Sequence, residues 1–280
     1  MSRLYSLAYL TVPGVTPPEQ VQIAHDAGYD AASFRLIQMG VAGEPDIDPC
    51  APQMVRETRD ALERTGLQCL DIELARVLRT TPASAYERAF AAGAELGARQ
   101  VISSAWTDVR NDKGFIVERF GEICDLAAQY GLTVNLEYPA FSRLCCIDDA
   151  LEVLRLANRP NQGLLIDTLY HHFTGGTLAD LARVPKKWIN FLHVCDTDHV
   201  AYNKDEMIHI ARDARLYPGE GVISFPLIAA AIPDAAISLE LPNAERTAKY
   251  GRTEHARRCL EGAKRFFDPE AQDTRPGHAA

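Results

Sequence analysis

Residues 164–176 read LLIDTLYHHFTGG, an apolar run that stops at a carboxylate, Asp167, with His171 and His172 close behind. A greasy segment that ends in an acid has two ordinary uses. The acid caps the next helix or pairs with an arginine, or it is delivered to a site. Other segments of the chain decide between these, because several end the same way. LTVNLEY closes on Glu137, WINFLHVCD carries His193 and then Asp196, and AAISLEL carries Glu240.

These segments belong to a repeated phrase. A short β-rich run is followed by an amphipathic helix, often closed by glycine, and then by the next run. The strands are read as RLYSLAYL, AASFRLI, LQCLDIELA, RQVISSA, LTVNLEY, GLLID, WINFLHVCD and AAISLEL. Helices are read at 17–28, 51–66, 82–97, 113–131, 146–158, 177–184, 224–232 and 252–267. Each unit takes roughly 30 residues, the size of a βα unit. The strands show little alternation, as expected when both faces are covered. An α/β fold, a single eightfold (β/α) TIM barrel over residues 1–267, is the economical reading. A doubly wound sheet would place Gly-x-Gly-x-x-Gly in its first turn, and LTVPGV lacks it. The tail 268–280, DPEAQDTRPGHAA, is expected to be disordered.

Composition narrows the function. The 280 residues carry 29 Lys+Arg against 38 Asp+Glu, a net charge of −9, with no basic block to hold nucleic acid or an anionic membrane. No apolar run reaches the ~20 residues of a membrane span, and MSRLYSLAYLTVPG is too polar for a signal peptide. A cytoplasmic location is expected. The seven cysteines are irregularly spaced with no Cys-x-x-Cys, which reads as reduced, mostly buried thiols. Cys195 stands out because it lies two residues past His193.

Chemistry in such barrels sits at the C-terminal ends of the strands. Strands five to eight would bring Glu137, Asp167, His193 and Glu240 together there. Three buried carboxylates within a few ångströms repel one another unless a cation joins them. Three oxygens and one imidazole suit Mn²⁺, Mg²⁺ or Co²⁺, with Zn²⁺ also compatible.

On NLEY, LLIDTLYHH, FLHVCD and SLELP, with RLYPGEG between the last two, the chain resembles the xylose isomerase-like barrels. These include sugar-phosphate isomerases and epimerases, inosose isomerases and dehydratases, and 3-dehydroshikimate dehydratase. The resemblance implies that Glu137, Asp167, His193 and Glu240 ligate one divalent metal ion. It also implies that Glu137 and Glu240 shuttle a proton from opposite faces of the substrate, and that Arg215 contacts a substrate oxygen. Tyr170 departs from the pattern, since relatives carry histidine three residues after the strand-six Asp.

The implied activity is a metal-dependent isomerase or epimerase of a small ketose, keto-polyol or sugar derivative, working through an enediolate. The alternative is a dehydratase of an inosose or 3-dehydroshikimate type, with Tyr170, His172 or Lys204 as the acid. An abasic-site endonuclease would need more histidine ligands and a basic face; a non-catalytic barrel would not need the quartet. Further substrate contacts are read at Arg35 and Glu73, which could equally pair with each other, and at Tyr9, His172 and Trp106. The connection 196–221 is long for a βα loop and reads as a lid carrying Arg215. The Pro-Gly-Glu-Gly turn reads as a turn and not as a phosphate cradle. The expected partner is a small polyhydroxy carbonyl compound, with neither nucleic acid nor membrane, and a homo-oligomer is left open.

Overall fold

A computed structural model of the chain describes residues 3–41, 43–105, 112–198 and 203–268. Trp106, His199, Tyr202 and the tail beyond Asp268 lie outside the described residues. Among the described residues, eight parallel strands close into a barrel in chain order, β8 pairing back to β1. They are β1 (Tyr5–Leu7), β2 (Ala31–Phe34), β3 (Gln68–Val77), β4 (Gln100–Ala105), β5 (Thr133–Glu137), β6 (Gln162–Asp167), β7 (Phe191–Val194) and β8 (Ala236–Leu239).

The helices in chain order are α1 (Pro17–Ala27), α2 (Pro52–Thr65), α3 (Glu87–Glu95), α4 (Lys113–Ala128), α5 (Ile147–Ala157) and α6 (Thr168–Phe173). They continue with α7 (Leu178–Ala182), α8 (Lys204–Asp213), α9 (Phe225–Ala231), α10 (Ala244–Tyr250) and α11 (Arg252–Phe267). Local chemistry sets their ends. Helix α1 starts with Pro17, whose missing N–H costs nothing there, and the Glu19 carboxylate accepts from the Thr16 N–H at 2.7 Å. It stops at Gly28, whose φ of +90° suits glycine.

The core has two parts. A large cluster fills the space between strands and helices. A smaller one, Leu74, Ile102, Leu165 and Phe191, lies apart from it. Leu165 and Phe191 stand two residues before Asp167 and His193, so strand alternation puts them on the same inward face, beneath the site. Among the described residues no helix is long and apolar enough to cross a membrane.

The sequence reading is corrected in places. The first strand, expected over 3–10, keeps only Tyr5–Leu7, and Tyr9–Thr11 turns as a 3₁₀ segment. There Thr11 Oγ1 donates to the Leu239 carbonyl at 2.6 Å, an anchor on β8 that sequence periodicity does not signal. Helices α6, α8 and α10 were not anticipated. All three start at side-chain caps: Asp167 accepts from Leu169 N–H, Asn203 from Glu206 N–H and Asn243 from Arg246 N–H, at 2.8, 3.0 and 2.9 Å. Helix α8 fills the long connection after β7.

Candidate metal centre and active site

Glu137 ends β5, Asp167 ends β6, His193 lies on β7 and Glu240 follows β8. Each offers one ligand atom, and the four atoms lie within 4.8 Å of one another. All four residues are buried. His193 Nδ1 stands 3.3 Å from Glu240 and 3.7 Å from Glu137, close enough for charge attraction but not aligned as hydrogen bonds. Asp167 therefore has both uses raised by its position: one oxygen caps α6 and the other faces the site.

The quartet has a permanent counterion. Arg215 is wholly buried and puts Nη1 2.8 Å from Asp167 Oδ2 and Nη2 3.0 Å from Glu240 Oε2. Its Nη1 also donates to the Glu240 carbonyl at 3.0 Å and its Nε to the Ala211 carbonyl at 2.9 Å. Nη2 approaches the Tyr170 hydroxyl at 3.4 Å. The backbone here is pinned by bridges Asp196–Leu216 and Ala214–Asn243. The guanidinium expected to reach a substrate oxygen from a lid is instead engaged by two of the candidate ligands, Asp167 and Glu240.

The environments of the two glutamates differ. Burial pushes the Glu137 carboxyl up to about 7, against the pull of His193. Burial acts on Glu240 as well, but the charges of His193 and Arg215 overcome it and hold this carboxyl well below its ordinary range. Asp167 is raised by burial, with Arg215 opposing.

A cavity of about 700 Å³ opens above the quartet, lined among others by Tyr9, Arg35, Glu73, Phe141, Tyr170 and Arg212. That is the size range of small-molecule sites. Arg35 lies over the Tyr9 ring at 4.6 Å and pairs with Glu73 at 3.1 Å and with Glu44 at 3.3 Å. The ion pair read between Arg35 and Glu73 is thus present, and both also line the cavity. Glu44, missed in the sequence, accepts from the amides of Met39, Gly40 and Val41 and so ties the loop after β2 to Arg35. Tyr170 packs edge-on against Phe141, ring centroids 5.6 Å apart. His172 is not among the lining residues. Lys204 opens α8 and is exposed.

Asp196 belongs to the turn, not to the site. Its carboxylate accepts from the amides of Gly219, Gly221 and Ile223 at 2.9, 2.9 and 3.1 Å. Amides that could have faced a phosphate are occupied by the chain's own acid. None of the seven cysteines is in a disulfide, and Cys195 is buried against Arg215 Nη1 at 3.4 Å.

The donor set fits a divalent cation. It is oxygen-rich with one imidazole, its atoms converge, and neither ring nitrogen of His193 has a hydrogen-bond partner. Asp71, Glu73, Glu137, Asp167 and Glu240 are buried in this half of the barrel, with Arg35, Arg215 and His193 as the buried cations that face them. An added dication would offset the remaining negative charge.

A closed parallel barrel with a carboxylate–histidine cluster on four successive strand ends is an enzyme architecture. The family profile described as xylose isomerase-like TIM barrel matches residues 21–262, and the chain belongs to that family. An inosose isomerase of Bacillus licheniformis is 29% identical over 130 residues, 45% of this chain and 44% of that protein. A 3-dehydroshikimate dehydratase of Pseudomonas aeruginosa is 25% identical over 227 residues, 77% of this chain and 34% of that protein. The matched segments take in less than half the length of each relative. A crystal structure described as the IOLI protein with a bound zinc atom superposes with a TM-score of 0.76 at 18% identity, covering 95% of this chain and 99% of that one. At that identity the likeness is one of fold.

Proposed function

We propose that the protein is a divalent-metal-dependent isomerase or epimerase of a small polyhydroxy ketone, cyclic or open-chain. The observation that carries this is the convergence of Glu137 and Glu240, from β5 and β8, on one buried centre beneath a cavity of about 700 Å³. Glu137, Asp167, His193 and Glu240 would hold the ion. When bound, it supplies Lewis-acid stabilisation of negative charge developing on a substrate oxygen.

The chain's own residues do the rest. Glu240, kept ionised by Arg215 and His193, takes the proton from the carbon next to the carbonyl. Glu137, without an arginine partner and more readily protonated, returns a proton to the same carbon or its neighbour. Arg35 and Glu73 offer a donor and an acceptor to substrate hydroxyls, while Phe141 and Tyr170 cover an apolar face and exclude water. Mn²⁺, Mg²⁺, Co²⁺ and Zn²⁺ all suit the donors.

A dehydratase shares the first proton abstraction. Tyr170 favours it, being a cavity phenol whose pKa burial drives well above 10, so it retains a proton to give to a leaving hydroxyl. The test is incubation with ketoses, inososes and 3-dehydroshikimate in D₂O. Deuterium in a product of unchanged formula supports the isomerase or epimerase; loss of water overturns it in favour of the dehydratase.

A further inference from the structure

Below the quartet, five neighbouring strands turn one polar side chain each into the barrel: His193 on β7, Ser238 on β8, Ser6 on β1, Ser33 on β2 and Asp71 on β3. The ladder places them side by side. His193 and Ser238 are partners across β7–β8, and Ser238 and Ser6 across β8–β1. Ser6 Oγ and Ser33 Oγ lie 2.8 Å apart, and Ser33 Oγ donates to Asp71 Oδ2. None of the five is more than 1% exposed. Ile102, Leu165 and Phe191, on β4, β6 and β7, belong to one apolar cluster.

The two ends of this polar crescent share a property. Asp71 Oδ1, Ser238 Oγ and both nitrogens of His193 are the buried side-chain polar atoms with no hydrogen-bond partner among the described residues. A buried polar atom left without a partner is costly. A carboxylate oxygen, a hydroxyl and an imidazole N–H are also the set of partners that one buried water needs. His193 aims Nδ1 at Glu137 and Glu240, so Nε2 is the nitrogen left over.

We propose that Asp71 is a positioning residue for His193. Through a water that Ser238 Oγ also contacts, Asp71 Oδ1 accepts the proton of His193 Nε2–H and fixes the tautomer whose Nδ1 lone pair faces the ion. A metal-ligating histidine needs such an outer acceptor to hold its ring and raise its basicity. The inference rests on the reading that the quartet holds a divalent ion.

The test has two readouts on the full chain at about pH 8. One is Mn²⁺ affinity, by competition with a chelating dye. The other is the ¹⁵N resonance of His193 Nε2 in metal-free protein, where Nε2 carries its proton whichever state Nδ1 is in. Asp71→Ala should weaken Mn²⁺ binding by about 10–100-fold and move the His193 Nε2 resonance, because the ring loses its acceptor. Asp71→Asn, which keeps a neutral acceptor, should fall between it and the wild type. Should Asp71→Ala not fold, Ser238→Ala carries the same two readouts with a smaller loss expected. Mn²⁺ affinity within about twofold of wild type together with an unmoved His193 spectrum would overturn the proposal. If the wild type takes up no Mn²⁺, the reading of the quartet fails, and the Nε2 resonance alone decides the link between Asp71 and His193.

Discussion

Arg215 Nη1 sits 2.8 Å from Asp167 Oδ2 with neither side chain exposed to solvent, and the same guanidinium holds Glu240 at 3.0 Å. A fixed cation is thus built into a site whose other members want a mobile one. It keeps two of the carboxylates charged and spaced before any ion arrives. Removing one partner of a buried pair leaves the other uncompensated, at about 3–5 kcal/mol. Arg215→Ala should therefore lower the unfolding free energy from urea melts by an amount of that order and abolish turnover, and Arg215→Lys should recover only part because it lacks the planar fork. A raised KM with unchanged stability would instead make Arg215 the substrate contact expected from the sequence.

Removal of divalent ions should cost stability. A ligand bound only by the folded state adds about 2.7 kcal/mol at a hundredfold excess over Kd. Chelator-treated protein should melt lower, and adding back Mn²⁺ or Zn²⁺ should restore Tm in the wild type but not in Asp167→Ala. Identical melting curves with and without ion would contradict a metal centre.

Glu240→Gln and Glu137→Gln should fold and yet lose about 10²–10⁴ in kcat, the usual scale for a missing general acid or base. Glu240→Gln should not exchange substrate hydrogen with D₂O at an appreciable rate, whereas Glu137→Gln should still exchange it while forming no product. Retained exchange in Glu240→Gln with loss only of product would exchange the roles assigned to the two glutamates.

Stability of the metal-free protein should fall as pH rises from about 4 to 7. Burial raises Asp71 and Glu137 to about 7 in the folded state, against about 3.9 and 4.3 in an unfolded chain. Between those values the folded state holds protons that the unfolded state has released, so the slope is negative and levels off above the folded pKa. Glu240, held low, acts with the opposite sign, and only as pH drops below about 4. Urea midpoints measured at about pH 5 and 8 check this. Asp71→Asn should flatten the slope in part, and a flat wild-type profile would count against the burial of these acids.

Much of the barrel was legible because its signals are local and repeated. Gly28 and Gly66 close helices with φ of +90° and +73°, as their position after an amphipathic run implied. The quartet was legible because strand ends are where a barrel exposes side chains, and because four ligand types followed one another. What stayed hidden depends on contacts across the sheet. Asp71 sits in LDIEL two residues before Glu73, a period-two signal of a shared face, but nothing in the string says that Ser33 and Ser6 would meet it. Glu44 lies in a loop with no pattern and gains meaning only from three amides and Arg35. Arg215 is read from the sequence as a lid residue on a substrate oxygen, because its burial comes from β6 and the end of β8, far away in the chain.

The pairing of β8 with β1 has a temporal side. Tyr5 to Leu7 lie beside Ile237 to Leu239, the residues that immediately precede Glu240. Partners more than two hundred positions apart must find each other before the fourth ligand stands where it is needed, and long-range zippering of this kind is slow. A nascent chain that has already made Glu137, Asp167 and His193 still lacks a centre. In a refolding time course, amide protection between the first and last strands would precede tight ion uptake, so that competence arrives late and all at once.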